Sequence, residues 1–454
     1  MTVAVFLVSL IGCILMGVPV AFSLLLCGMA LMLDLDLFDS QIMAQNLING
    51  ADSFSLLAIP FFILAGELMN AGGISRRIVD LPMKLVGHKR GGLGFVAIIA
   101  AVLMASLSGS AAADTAALAM VLLPMMKNAR YEEGRSVGLI AAGGIIAPII
   151  PPSIPFIIFG VASGVSISQL FLAGIAPGVM MGVALAAVWW WQSRTADISL
   201  LEKASRHEVG RSVREGIWAL LLPVIIVGGF RSGIFTSTEA GVVAAVYALF
   251  IALFVYRELR LKDLYNVMFA AAETTAVVML LVAASAVSAW LITIAELPQM
   301  VADMMQPLVD SPTLLMAMMM IFIMVVGMVM DLTPTVLILV PVLMPLIQEA
   351  HINPVYFGVM FIINSSIGLI TPPVGNVLNV IASVSQLPFE RCMRGVIPYL
   401  LVMLLLLTLF IVFPSLILAP LRWMLRGLRD IQAAALRLRA ATLDHDRQPK
   451  GEAI

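Results

Sequence analysis

The chain alternates long apolar runs with short charged clusters. Val3 to Leu33 contains no charged residue in 31 positions. An acidic connection follows (Asp34, Asp36, Asp39, Asp52), then an apolar stretch over 54–71 and a basic loop with Arg76, Arg77, Lys84, Lys89 and Arg90. Apolar sequence resumes over 93–126, interrupted at Ser106–Asp114, and a second basic patch holds Lys127, Arg130 and Arg135. The run 136–163 is interrupted at Pro148–Pro155, and 170–191 ends in Trp189, Trp190 and Trp191. Runs near or beyond about 20 apolar residues are long enough to cross a hydrocarbon core as helix. They lack the two-residue alternation of a barrel strand, and a spanning backbone must satisfy its own hydrogen bonds. The pattern predicts an all-α polytopic membrane protein. Val3–Leu33 reads as one retained helix, because a cleaved signal has a shorter apolar stretch and a basic start.

Lys and Arg collect in cytoplasmic loops, which puts 76–90, 127–135 and 194–214 on the cytoplasmic side. The stretch 93–126 lies between two such loops, and arms of about 14 residues are too short to span. It is expected to enter from the cytoplasm, turn at the Ser/Gly break and return as a re-entrant hairpin. The three tryptophans are expected to anchor the headgroup zone.

The second half repeats the first at an offset of 221 residues. Pro124 matches Pro345, Ile146 matches Ile367, Ile149 matches Ile370, and Pro151 and Pro152 match Pro372 and Pro373. Gly174 matches Gly395, and Pro177 matches Pro398. Spans at 236–256 and 265–292 correspond to the first two, a hairpin over 313–349 turns at Met330–Pro334, and a helix over 354–385 breaks at Gly368–Asn376. The loop 296–311 carries Glu296, Asp303 and Asp310 where its counterpart 76–90 is basic. That reversal of charge predicts an inverted copy, with 217–230 as the extra crossing that inverts it. Inverted repeats with broken helices mark secondary transporters. One feature resists this topology: the seven Lys or Arg residues after Leu421 fall on the outer side by parity.

Composition sharpens the picture. Hydrophobic types make up 61% and charged types 12%, against about 25% charged in soluble domains, and mean hydropathy is +1.06. A net charge of −1 argues against a nucleic-acid partner. Cys13, Cys27 and Cys392 have neither metal nor disulfide spacing, and the four histidines fall mostly in polar loops, so no metal centre is expected.

Four segments together resemble the large membrane subunit of the tripartite ATP-independent periplasmic (TRAP) transporters. They are Ile59-Pro-Phe-Phe-Ile-Leu-Ala-Gly66, Ser108-Gly-Ser-Ala-Ala-Ala-Asp-Thr115, Pro148–Pro155 and Gly368–Asn376. The resemblance covers about residues 1–420. It implies an elevator-type, ion-transporter-superfamily architecture in the bacterial inner membrane. It also implies a small four-helix membrane subunit, a periplasmic substrate-binding protein and import of a carboxylate or sulfonate on a sodium gradient. The small subunit is expected on a separate chain, since four more helices have no place before residue 3. No cofactor is expected beyond sodium as coupling ion. In elevator terms, 93–165 and 313–387 form the transport domain, while 1–92, 166–312 and 388–420 form the scaffold and its connections. The basic tail is 421–454.

Sodium takes oxygen ligands, which freed carbonyls and Ser/Thr hydroxyls supply. Each repeat pairs a hairpin tip with a broken helix, so two sodium sites are expected. The first takes Ser108, Ser110, Ala147 and Ile150; the second takes Gly327, Thr333, Gly368 and Thr371. Ser110, Ser153 and Asp331 are expected to bind substrate, with Ser110 and Asp331 facing each other across the pseudo-twofold axis. An unpaired intramembrane carboxylate is functional by default; a plain capping role is the weaker reading for Asp331 and the preferred one for Asp114. Glu67 is expected to be a structural hydrogen-bonding partner, and Glu239 and Glu273 to be solvated near membrane ends. Three rivals remain: a stand-alone sodium- or proton-coupled carboxylate carrier, a passive channel, and a membrane-embedded enzyme. The last lacks a histidine in any span core, so the protein is read as a non-enzyme.

Overall fold

A computed structural model describes residues 2–194, 202–296, 299–300 and 311–425. It is helical throughout, with no strand among the described residues, and seven of its helices are long and apolar enough to cross a membrane.

The first apolar run is two helices, not one. Thr2–Leu15 and Val20–Asp34 are separated at Gly17, whose φ is +80°, and Pro19, which precedes the second helix. A left-handed glycine followed by a residue without an N–H ends one helix and starts another. The pair packs together, with the Cys27 thiol 3.5 Å from the Phe6 carbonyl. The acidic connection also folds: Asp39 accepts from Gln41 N at 2.7 Å and caps Ser40–Ala51. A tight turn at Phe54–Leu57 then leads into Ala58–Ala71.

The second copy builds the equivalent of 40–73 as one unbroken helix, Leu261–Ile294. At 34 residues it is about 51 Å long. The two equivalents run in opposite directions. Gly50, just before Ala58–Ala71, lies against Ala283 and Ala286 late in the long helix, whereas Gly73, just after, meets Glu258 immediately before it. Antiparallel counterparts establish the inverted repeat. The turn at Gly73 is locked by Arg77, which pairs with Glu258 at 2.7 Å and lies 3.8 Å over the Tyr256 ring.

Both hairpins and both broken helices are present. The first hairpin has arms Gly92–Ser108 and Ala111–Asn128; the second has Pro312–Gly327 and Leu332–Glu349. The broken helices are Glu133–Gly144 with Ile154–Ser163, and Pro354–Gly368 with Asn376–Ser385. The repeats interlock: the returning arm of each hairpin packs against the second half-helix of the other repeat. Phe159 packs at a tilt against Phe357 and Phe361, with ring centroids 6.1 and 5.8 Å away.

Helices Ile167–Ser193 and Phe389–Val412 press directly on the broken helices. A Cβ on Gly174 would lie 2.3 Å from the Ile149 carbonyl, one on Gly138 2.1 Å from the Gly395 carbonyl, and one on Gly395 1.9 Å from the Gly134 carbonyl. Gly134 and Gly138, one turn apart, thus form a small-residue face where backbones touch. Trp189 departs from its expected role as an interfacial anchor. It is buried, donates to the Gly91 carbonyl at 2.8 Å and stacks on Tyr131, bracing the base of the first hairpin. Trp190 and Trp191 are exposed as expected.

Among the acids, Glu239 closes a capping box with Thr236, Glu273 is exposed, and Glu67 makes no hydrogen bond or ion pair among the described residues, contrary to expectation. The tail begins with Ser415–Leu425, where Trp423 lies under Arg231 at 4.9 Å. Arg231 ends the inter-repeat helix Arg206–Ser232, so the tail starts beside that helix's C-terminal end. The rest of the basic tail, and most of the acidic loop 296–311, lie outside the described residues.

The backbone seam generates a test. Gly395→Ala overpacks it and is expected to lower stability by about 1–3 kcal/mol, seen as a drop in the thermal midpoint of detergent-solubilised protein. Gly210→Ala, where no atom lies within 4 Å of the added carbon, is expected to hold or raise the midpoint. Equal midpoints for the two variants contradict the seam.

Candidate ion and substrate site

In the first repeat the hairpin tip is set by three residues. Ser108 ends one arm, Gly109 turns the chain at φ +62°, and Ser110 caps the other arm by accepting from Ala113 N at 3.4 Å. The Ser108 hydroxyl accepts from Ser110 N at 3.1 Å and donates to Asp114 Oδ1 at 2.5 Å. Gly109 lies on the break: a Cβ there would be 3.1 Å from the Pro152 carbonyl and 3.4 Å from Ser153 Cα.

The break itself follows from proline chemistry. Continuing the helix would require N–H groups at positions 151 and 152 to serve the carbonyls of Ala147 and Pro148, and both are prolines. Ser153 donates to the Pro148 carbonyl at 2.5 Å and accepts from Phe156 N at 3.4 Å, capping the second half-helix. The Ala147 and Ile150 carbonyls accept none of the backbone hydrogen bonds of the break. The tip and this carbonyl ladder therefore adjoin, through Gly109 on one side and through Ala111 and Thr115 against Gly144 on the other.

The second repeat makes the same junction with different groups. Gly327 and Gly368 meet backbone to backbone; a Cβ on Gly368 would lie 2.7 Å from Gly327 C. Gly375 N donates to the Met328 carbonyl at 3.4 Å. Thr371 is buried and donates to the Ile367 carbonyl at 2.7 Å. The structure thus unites Gly327, Gly368 and the turn bearing Thr371. Thr333 is the second residue of the returning arm, outside this contact.

Ser110 and Asp331 occupy equivalent positions, each preceding the returning arm of its hairpin, but no hydrogen bond joins them. Asp331 is exposed and caps no N–H, so the capping reading fails for it. It fails for Asp114 too. That carboxylate receives the Ser108 hydroxyl rather than an amide, and the capping falls to Ser110. Ser153 is fully buried, with its hydroxyl engaged in the break.

A family model described as tripartite ATP-independent periplasmic transporter, DctM component, matches residues 7–416. The chain belongs to this family. It is 66% identical over 423 residues to the 2,3-diketo-L-gulonate TRAP transporter large permease protein of Escherichia coli (strain K12), covering 93% of this chain and all of that one. It is 40% identical to the sialic acid TRAP transporter large permease protein of Vibrio cholerae, covering 89% and 95%. Among solved structures, the YdaH transporter of Alcanivorax borkumensis shares the fold, with a TM-score of 0.64 at 13% identity over 84% of this chain and 90% of that one.

Several polar groups of this TRAP permease escaped the sequence reading. Asn364, Ser365 and Ser366 are buried, and Asn364 Oδ1 and both serine hydroxyls lack partners; Asn364 Nδ2 donates to the Met320 carbonyl at 2.6 Å. A polar triplet interrupting the apolar run 355–370 was the available signal. Asn364 also borders a mostly apolar cavity of about 810 Å³ between Pro312–Gly327 and Phe389–Val412, which none of the predicted site residues lines. Thr115, buried with an unpartnered hydroxyl, is the other omission.

Two glycines separate backbone strain from tip contact. Gly164 has φ +71° with open space around it, while Gly109 has both positive φ and a crowded Cβ direction. An alanine in the left-handed region costs about 1–2 kcal/mol. Gly164→Ala is expected to show that cost alone, and Gly109→Ala a larger fall in thermal midpoint together with impaired transport. Equal shifts would argue that the tip does not bear on the break.

Proposed function

We propose that this chain is the translocating subunit of a sodium-coupled inner-membrane importer of a sugar-acid-like organic anion, receiving substrate from a periplasmic binding protein and working beside a small membrane subunit. The observation that carries the reading is the pair of hairpin tips pressed on proline-broken helices within apolar sequence. Bare carbonyls there suit a hard cation, and the N-terminal ends of the second half-helices suit an anion. The substrate class rests on the relatives above, whose names specify 2,3-diketo-L-gulonate and sialic acid.

In this reading Ser108, Ser110, Ala147 and Ile150 hold one sodium ion, and Gly327, Gly368 and Thr371, with Thr333, hold another. Ser110, Ser153 and Asp331 contact the substrate. The exposed carboxylate of Asp331 hydrogen-bonds a hydroxyl of a polyhydroxylated acid, while sodium offsets the substrate's own charge. The moving body comprises both hairpins and both broken helices. We include Ile167–Ser193 and Phe389–Val412 in it, because the glycine seams and Trp189 join them to the broken helices and the first hairpin. The scaffold is then the helices within 2–71 and 206–294, joined by the Ser288 hydroxyl donating to the Leu24 carbonyl at 3.0 Å and that of Thr238 to Phe54 at 3.1 Å.

Reconstitution tests this. Proteoliposomes holding this chain and its small subunit are expected to accumulate labelled 2,3-diketo-L-gulonate only with an inward sodium gradient and the binding protein present. Asp331→Ala is expected to weaken uptake about 10- to 100-fold, the equivalent of a charged hydrogen bond worth 1.5–3 kcal/mol. Equal uptake without the binding protein would favour a stand-alone carrier, and uptake driven by a pH gradient alone would replace sodium by protons.

A further inference from the structure

Behind the first hairpin tip lies a group of oxygens that the site described above does not use. Asp114 is 2% exposed and Thr115 is fully buried. One carboxylate oxygen of Asp114 receives the Ser108 hydroxyl; the other, Oδ2, has no partner, and neither has the Thr115 hydroxyl. A Cβ on Gly144 would lie 1.8 Å from Thr115 Oγ1 and 3.0 Å from the Ala111 carbonyl. The absence of a side chain at Gly144 therefore leaves these two oxygens facing the end of the first half-helix, beside the Ala147 carbonyl ladder.

Among the described residues no cation pairs with Asp114. The facing elements Gly92–Ser108 and Asn376–Ser385 contain no ionisable residue. Glu133–Gly144 carries Glu133 and Arg135 only in its first turn, and Lys127 ends the arm on which Asp114 begins. Burying an uncompensated carboxylate in this setting is strongly unfavourable, and a bound cation or a proton meets that cost. The orientation of Ser108 fits a cation. Its proton goes to Asp114 and one lone pair accepts from Ser110 N, which leaves a lone pair available.

The second copy exchanges these groups. At the offset of 221 residues, Ser110 and Asp114 become Asp331 and Thr335. Thr335 is satisfied, donating to the Asp331 carbonyl at 2.7 Å, and Asp331 is exposed. A buried carboxylate at a tip is thus confined to the first repeat.

We propose that Asp114 and Thr115 complete the first-repeat sodium site, with Asp114 as its anionic ligand and the residue that orients Ser108. The two sodium sites are then unlike: one is anchored by a fixed charge, the other built from neutral oxygens alone. This rests on the sodium-coupled reading above, and the experiment keeps the two apart.

Purified protein is titrated with NaCl against choline chloride at constant ionic strength. Sodium binding is read as a rise in thermal midpoint, and the half-saturating sodium concentration for uptake is measured in proteoliposomes. Wild type is expected to be stabilised by sodium. Asp114→Asn is expected to raise half-saturation roughly 10- to 100-fold, the usual cost of disturbing a metal site. Thr115→Val guards against misfolding of that variant. Removing an unpartnered hydroxyl leaves stability in choline unchanged or higher, so a purely structural threonine predicts no change in sodium dependence, whereas a ligand predicts a clear rise in half-saturation. Wild type insensitive to sodium by both readouts overturns the sodium-coupled reading itself. Wild type sensitive to sodium, with Thr115→Val and every folded Asp114 variant keeping its half-saturation, overturns the present proposal alone.

Discussion

A peptide group in hydrocarbon has nowhere to send its hydrogen bond except to the protein. Two adjacent prolines violate that requirement twice in each repeat, by removing the donors that the carbonyls one turn earlier would use. Much of the surrounding architecture answers this deficit. Ser153 takes up the Pro148 carbonyl, Val377 N takes up that of Leu369, and each hairpin tip closes over its break. Deep in apolar surroundings the chain thereby concentrates free oxygens and amide ends at two places, and a carrier of ions and anions needs both.

The hairpins, the broken helices and the inverted repeat were legible because their determinants are local. Double prolines, Ser-Gly-Ser and Gly-Asn stand out from apolar sequence, and a loop that changes from basic to acidic reports which way it faces. The first apolar run was misread for the opposite reason. Gly17 and Pro19 break it without any charge to mark the place, so 31 uncharged residues look like one helix. Trp189 looked like its two neighbours, but its burial, its stacking on Tyr131 and its hydrogen bond to Gly91 set it apart. The contacts that Gly174 and Gly395 make with the broken helix of the first repeat were not legible, because the partners are distant in sequence. The role of Asp114 depends on which side of the tip faces inward, which spacing along one helix does not reveal.

The two copies are alike in frame and unlike in chemistry. The first builds its second span with a break after Ser40–Ala51; the second runs through the same register as one helix of 34 residues. The first hides its tip carboxylate and the second exposes it. Inversion alone would make the inward and outward faces equivalent. These differences make the two faces unlike: a carboxylate is exposed at one tip and buried at the other.

At Gly138 and Gly395 the contact between Glu133–Gly144 and Phe389–Val412 is made by backbone atoms. Such a joint has no rotamers to switch and no intermediate spacing at which to rest: its two backbones are either in register or apart. It cannot relay a graded signal from an ion to a distant surface. In the elevator reading proposed above, this part of the chain is displaced as whole helices, and the oxygens beside it keep their spacing.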